Sequence, residues 1–334
     1  MNAKKLPSGN WRAKASRTIN GERVVKSFTA KTKAEAEFFA SQWLTKRKEK
    51  EATPTVAQAV DSFLDHRKAV LSPSTVKSYI FMAEAIKKRF GRVLAVDMTS
   101  EKLQGYINEL ALSRSPKTVK NYSAFFVSVL NSVCPDKVYR VTLPKKNPTT
   151  YRVPCEEAVK RLLSEADGDL YLAMILGAVG GLRRGEICAL RQEDILRDVN
   201  MIYIHADMVQ NEKKEWIYKP TPKTSASVRR VELPPEIIKK IPDKPGFILS
   251  HDPNWVTRNF GRFARRRGVD CRFHDLRHYC ASYLHSIGVP DQYIIKRLGH
   301  GSDSMLKNVY RNILPDKEDL FAKQANAAFS RSLL

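Results

Sequence analysis

Acidic residues are scarce in this chain. Its 334 residues hold 35 Asp and Glu against 58 Lys and Arg, a formal charge of +23. That imbalance points to a polyanionic partner, nucleic acid first. Long apolar runs are missing too. The longest near-apolar stretch, Leu170–Leu182, has 13 residues, which suits a core helix and falls short of a bilayer. No apolar signal region opens the chain. The five cysteines (Cys134, Cys155, Cys188, Cys271, Cys280) form no Cys-x-x-Cys pair and no even disulfide framework. A reduced, cytoplasmic compartment fits that usage best. No His-Glu-x-x-His run occurs, and His274, His278 and Cys280 make only a weak metal pattern, so no metal site is assigned.

What is present is length for two or three domains, with 43% hydrophobic residues to fill their cores. The pattern predicts a multidomain chain, mainly α with small β-sheets. Residues 1–51 carry 13 Lys and Arg against 5 Glu. Trp11–Arg17 and Arg23–Phe28 read as strands around the hairpin signal Asn20-Gly21. Thr32-Lys33-Ala34-Glu35 is a capping-box pattern opening a helix to about Lys50, which Phe38, Phe39, Trp43 and Leu44 could pack on the sheet. Arg12 and Lys14 are candidate DNA contacts on the first strand. A sticky basic extension without sequence preference is the competing reading.

Pro54 starts a second module, 52–148 with its linker. Four helices are expected at about 56–69, 73–90, 100–112 and 116–133, opened by Thr55, Ser72-Pro73, Thr99-Ser100 and Ser115-Pro116. Lys77 and Lys120 fall near helix N-termini, where phosphates are favoured. The two similar Ser-Pro helix starts are too few for a solenoid, and Val141–Val153 reads as linker.

The chemistry-bearing residues lie further on. His274 and Arg277 are three apart, so a helix would put a proton-transfer group and a permanent cation on one face. Leu298-Gly299-His300 follows just past an apolar segment, and Tyr310 comes ten residues after His300. A phosphodiester attacked without a metal needs fixed cations, a proton shuttle and an oxygen nucleophile. Upstream, Gly181-Leu182-Arg183 precedes Glu186, and Lys223 stands in a Lys-Thr-x-x-Ser-x-Arg context with Ser227 and Arg229. Arg183 could merely solvate a helix start, and Lys223 could be an exposed turn lysine. Strands are expected at 201–205, 216–219 and 228–233. On the expected helix 254–267, Val256, Phe260 and Phe263 oppose Arg258, Arg262, Arg265 and Arg266, a basic face that is either solvated or laid on DNA.

In this order and spacing, these motifs resemble the tyrosine recombinases, the family of phage integrases. The gap from His300 to Tyr310 is one residue longer than in many members and is similar to that of integrases from phages and conjugative elements. The resemblance implies catalytic roles for Arg183, Lys223, His274, Arg277, His300 and Tyr310, with Glu186 as supporting carboxylate. It implies an arm-type DNA-binding domain at 1–51, a helical core-binding domain at 52–148, and a mixed α+β catalytic domain at 149–320. The tail 321–334 would dock on a neighbouring protomer or pack in cis. The implied activity is integration and excision of a mobile element or prophage through a 3′-phosphotyrosine. DNA inversion, chromosome-dimer resolution and a non-catalytic regulator on the same fold are the alternatives. Neither cofactor nor ATP is implied. The implied partners are double-stranded DNA with core and arm sites, a homotetramer on that DNA, an excisionase and a host DNA-bending protein. The place of action would be the nucleoid of a bacterial host.

Overall fold

The computed structural model describes residues 2–19, 22–51, 54–146, 153–220 and 225–299. Lys223, His300, Tyr310, the Asn20-Gly21 turn and the C-terminal tail lie outside the described residues. The chain divides into two compact units, Met1–Leu71 with Thr75–Asn147, and Ser72–Ser74 with Pro148–Leu334.

The first unit begins with an antiparallel sheet in the order β1 (Lys4–Lys5), β2 (Trp11–Ile19), β3 (Glu22–Ala30). The two long strands pair from Trp11↔Ala30 to Ile19↔Glu22. β1 has two residues, too short for any alternation to announce it. Helix α1 (Lys33–Glu51) is capped as its sequence predicts: Glu35 N–H donates to Thr32 Oγ1 and Thr32 N–H to Glu35 Oε2. Alanines bring sheet and helix together. Ala13 and Ala15 on the sheet and Ala36 and Ala40 on α1 are buried, rimmed by Trp11, Phe28, Trp43 and Leu44. Phe38 and Phe39 depart from expectation, being 59% and 45% exposed. The stripe 36, 40, 43, 44 already follows helical spacing, and those two rings fall off it. Arg12 and Lys14 alternate with the buried alanines and face outward.

Four helices follow: α2 (Val56–Arg67), α3 (Pro73–Phe90), α4 (Ser100–Ala111) and α5 (Pro116–Val133). Hydroxyls close three N-termini: Thr55 accepts from Gln58 N–H, Thr99 from Lys102 N–H, and Ser115 from Thr118 N–H. Phe63, Ile86, Phe90, Leu103, Phe125 and Phe126 form the core, with Phe63 edge-on to Phe125 at 5.8 Å. Part of the expected linker belongs to this core. Val141 and Leu143 pack on it, as does Tyr139 just before the linker, and Thr142 exchanges two hydrogen bonds with Gln104. Lys77 is half-buried and Lys120 exposed.

The second unit holds α6 (Glu156–Ser164), α7 (Gly168–Ala178) and α8 (Arg184–Ala189). Strands β4 (Ile195–Leu196), β5 (Met201–Ile204), β6 (Asp207–Gln210), β7 (Trp216–Lys219) and β8 (Arg229–Glu232) follow. Then come α9 (Pro235–Lys240), α10 (Pro253–Arg266), α11 (Phe273–Ser286) and α12 (Asp291–Leu298). The strands make an antiparallel sheet β4-β5-β8 and a hairpin β6-β7. Helix α7 is apolar on nearly every side because it is the central core element. Met174 and Leu176 are wholly buried, and Phe273 and Leu276 of α11 lie against Gly177. Burying one such leucine is worth about 2 kcal/mol. Among the described residues no helix is long and apolar enough to cross a membrane.

Candidate active site

The site starts at a turn that only glycine makes comfortably. Gly181 has φ +68°, and a Cβ on it would lie 2.3 Å from Leu298 Cδ2 and 3.3 Å from Cys280 Sγ. The turn ends the α7 segment and delivers Arg183 to the N-cap of α8. There the Arg183 backbone N–H donates to Glu186 Oε2 at 2.9 Å, and its Nη1 to Glu186 Oε1 at 2.6 Å. The cap runs one way, because a guanidinium has no acceptor.

Glu186 is the centre of the cluster. It is 3% exposed and faces three arginines: Arg183 at 2.6 Å, Arg229 at 2.9 Å and Arg277 at 4.0 Å. Burial alone would raise its carboxyl, but Arg229, Arg183 and Arg277 together hold it down at about 2. Three cations on one anion leave positive charge in excess at this contact. Arg277 registers that excess: burial first, then Arg183, pulls its guanidinium down to about 9.

The arginines are also held by the end of α12. Arg229 Nε donates to the carbonyl of Arg297 at 2.7 Å, Arg277 Nη2 to that of Leu298 at 2.6 Å, and Arg183 Nη2 to that of Gly299 at 3.2 Å. Three consecutive carbonyls, free because the helix ends there, each take one guanidinium. Gly299 adopts φ +65° as the residue after the helix. Arg277 Nη1 also donates to Gly181 O at 2.5 Å, tying the cluster to the turn where it began.

His274 stands one helical turn before Arg277, with its ring 4.9 Å from that of His278. Burial, then His278, Arg277 and Arg183, push it down to about 4. His274 is itself exposed to solvent, so the surrounding cations matter beside burial. Both act in one direction, and the ring is neutral at pH 7, able to accept a proton. His278 is buried and shifted the same way by burial. The thiol of Cys280 donates to Val179 O at 3.3 Å, away from the histidines.

Helix α10 buries Val256, Phe260 and Ala264, and exposes Arg258, Arg262, Arg265 and Arg266 as its spacing predicts. Trp255, Thr257, Arg258, Asn259, Arg262 and Arg265 line a groove along it, and Arg266 lies off that groove. Arg184 reaches this helix through a 2.6 Å bond to Thr257 Oγ1. The structure thus brings Arg183, Glu186, His274 and Arg277 together and adds two residues that sequence reasoning gave no role. One is Arg229, whose signal was its offset in the Lys-Thr-x-x-Ser-x-Arg stretch. The other is Asp207, a carboxylate seated so close to Gly185 that a Cβ there would lie 2.0 Å from its Oδ1.

Residues 155–317 match the phage integrase family. The chain is 24% identical over 280 residues to the tyrosine recombinase XerC-like protein of Caldanaerobacter subterraneus, covering 69% of this chain and 71% of that protein. It is 27% identical over 209 residues to the ICEBs1 integrase of Bacillus subtilis, covering 55% of each. The fold matches the Tn1549 transposon integrase, solved in complex with transposon right end DNA, at TM-score 0.67 and 16% identity, over 84% of this chain and 100% of that one. It also matches a lambda integrase tetramer bound to a Holliday junction, at TM-score 0.59 and 18% identity, over 92% and 94%. Residues 155–317 are thus a phage integrase domain, that of the tyrosine recombinases, in a chain that shares their multidomain, mainly helical architecture.

Proposed function

We propose that this chain is a site-specific DNA recombinase that integrates and excises a mobile element. The observation that carries the reading is the cluster of three guanidiniums on one buried carboxylate, a cradle with positive charge to spare for a phosphodiester. In the proposed reaction the Tyr310 phenolic oxygen attacks a backbone phosphorus. A 3′-phosphotyrosyl bond forms, and the bond to the 5′ oxygen breaks. Arg183, Arg277 and His300 stabilise the charge that gathers on the non-bridging oxygens. Neutral His274 manages the phenol proton, and Lys223 supplies a proton to the leaving 5′ oxygen. The new phosphodiester retains the bond energy, and attack by a 5′ hydroxyl of the partner strand reverses the step.

The N-terminal sheet, with Arg12 and Lys14 on its open face, is proposed to hold arm sites. Lys77, Lys120, Arg258, Arg262, Arg265 and Arg266 are proposed to contact core DNA. Four protomers would exchange strands between two duplexes in the bacterial nucleoid, with an excisionase and a host DNA-bending protein setting direction. The test is a suicide duplex carrying the element's end DNA, followed by denaturing electrophoresis. A denaturant-resistant adduct is expected from the wild-type chain and none from Tyr310→Phe. An adduct that survives in Tyr310→Phe overturns the nucleophile, and no adduct from the wild type overturns the activity. Deleting residues 1–51 is expected to spare core-site cleavage and impair integration.

A further inference from the structure

Arg229 is set apart from its neighbours by what its donors do. Its side chain is 3% exposed. Nε donates to Arg297 O at 2.7 Å. Nη1 donates to Glu186 Oε1 at 3.2 Å and Ser227 O at 3.0 Å, and Nη2 to Glu186 Oε2 at 2.9 Å. A guanidinium has five N–H groups, and four are engaged inside the protein. Arg277 is equally buried but, among the described residues, engages only two N–H groups, Nη1 on Gly181 O and Nη2 on Leu298 O, and Arg183 is 35% exposed. Arg229 is therefore built to hold protein and is closed to DNA.

We infer that Arg229 is a positioning residue that occupies Glu186 so that Arg277 and Arg183 stay available to the phosphate. This rests on the phosphate-binding reading of those two arginines. The geometry gives the reason. Arg229 takes both Glu186 oxygens in a fork, and Arg277 Nη1 is kept at 4.0 Å, outside hydrogen-bond reach, and bonds Gly181 O instead. Among the described residues, without Arg229 Oε2 keeps only the Arg183 backbone N–H, and the next cation is Arg277, whose Nη1 stands 4.0 Å away on Gly181 O. Its guanidinium would swing onto the carboxylate and off the phosphate. Gly299 belongs to the same device: a Cβ there would lie 2.9 Å from Arg229 Nη1 and 3.0 Å from Ala226 O. Through Ser227 O and Arg297 O, Arg229 also joins the lead-in of β8 to the end of α12.

The charged groups facing Glu186 are Arg183 of α8, Arg277 of α11, Arg229 of β8 and Asp207 of β6. Arg229 is the strongest of those holding its carboxyl down, and burial opposes it. Removing Arg229 leaves burial in place, so the carboxyl rises and begins to take up a proton as pH falls. The wild-type carboxyl, at about 2, stays ionised throughout the working range.

The experiment measures adduct formation on a suicide duplex at saturating DNA from pH 5 to 9, together with binding by gel shift. Arg229→Gln is expected to slow adduct formation by about 100-fold, the effect of misplacing a catalytic group by about an ångström. Binding should change by less than about threefold, and the rate should acquire an acid limb that the wild type lacks. Arg229→Lys keeps a charge beside Glu186 without the fork. It should be slowed with no acid limb, and it serves as the readout should Arg229→Gln fail to fold. A wild-type rate in either variant, or an equal loss of binding and rate, overturns the inference. If the wild type itself forms no adduct, the recombinase reading has failed instead.

Discussion

Replacing Glu186 with alanine removes the only carboxylate within 4.0 Å of Arg183, Arg229 and Arg277 among the described residues. Two routes give the magnitude. Removing one partner of a buried ion pair costs about 3–5 kcal/mol, because the partner left behind is an uncompensated charge. Arg229 and Arg277, each 3% exposed, would both be left so. By linkage, the drop of the Glu186 carboxyl from the ordinary 4.5 to about 2 corresponds to about 3 kcal/mol at neutral pH. The sign follows from the depressed folded value. The contribution is complete above 4.5 and is lost as pH falls from there towards about 2. Urea unfolding of the whole chain at pH 7 should show Glu186→Ala less stable than wild type by about 3 kcal/mol or more. Repeated at falling pH, the gap should close through the same window, since the wild type surrenders what the variant lacks. A loss below about 1 kcal/mol, with an unchanged acid limb, would show that the guanidiniums hold themselves on backbone carbonyls and that Glu186 is incidental to the cluster.

Asp207 should behave in the opposite sense. Burial first, then Glu186, push its carboxyl up from 3.8 to about 6, so its ionisation weakens the folded state as pH rises through that interval. Asp207→Asn should gain stability relative to wild type between about pH 4 and 6 and hold that gain above, which unfolding at several pH values reads directly. Gly181→Ala should cost at least about 1–2 kcal/mol for the left-handed backbone alone, and should slow adduct formation as Leu298 and the Arg277 anchor shift. For α10, Arg258→Ala and Arg262→Ala divide two roles by salt titration of DNA binding. An arginine on phosphate lowers the log–log salt slope by about 1, whereas one reading a base costs about 1–3 kcal/mol on the cognate site and relaxes its sequence preference. Neither effect from either residue would remove α10 from the DNA-facing surface.

The sequence carried the helices of both units because periodicity and caps are local. Thr55, Thr99 and Ser115 announced their helices and cap them. His274 and Arg277 were placed on one helix from spacing alone, and α11 holds them there. What spacing could not show was which contacts cross the chain. Arg229 meets Glu186 across 43 positions and Arg297 across 68, and no local pattern encodes a partner at that distance. Phe38 and Phe39 show the same limit in reverse. Their hydrophobicity suggested packing, but Ala36 and Ala40 already fill that face, and small residues carry little weight in a sequence pattern although they permit the closest approach.

The two signatures noticed in the sequence, Gly181-Leu182-Arg183 and Leu298-Gly299-His300, turn out to be two sides of one contact. Leu298 Cδ2 lies where a side chain on Gly181 would begin, and Arg229 lies against the place of a side chain on Gly299. Each glycine makes room for the other motif's neighbours. The negative end of α12 can then reach three guanidiniums that would otherwise repel one another. A helix terminus is a weak counter-ion, equivalent to about half a charge, so it steadies the arginines without neutralising them. Glu186 adds one full negative charge and no more. The cluster is thus held in place by groups too weak to satisfy it, and the remaining positive charge can be met by an anion that arrives from outside.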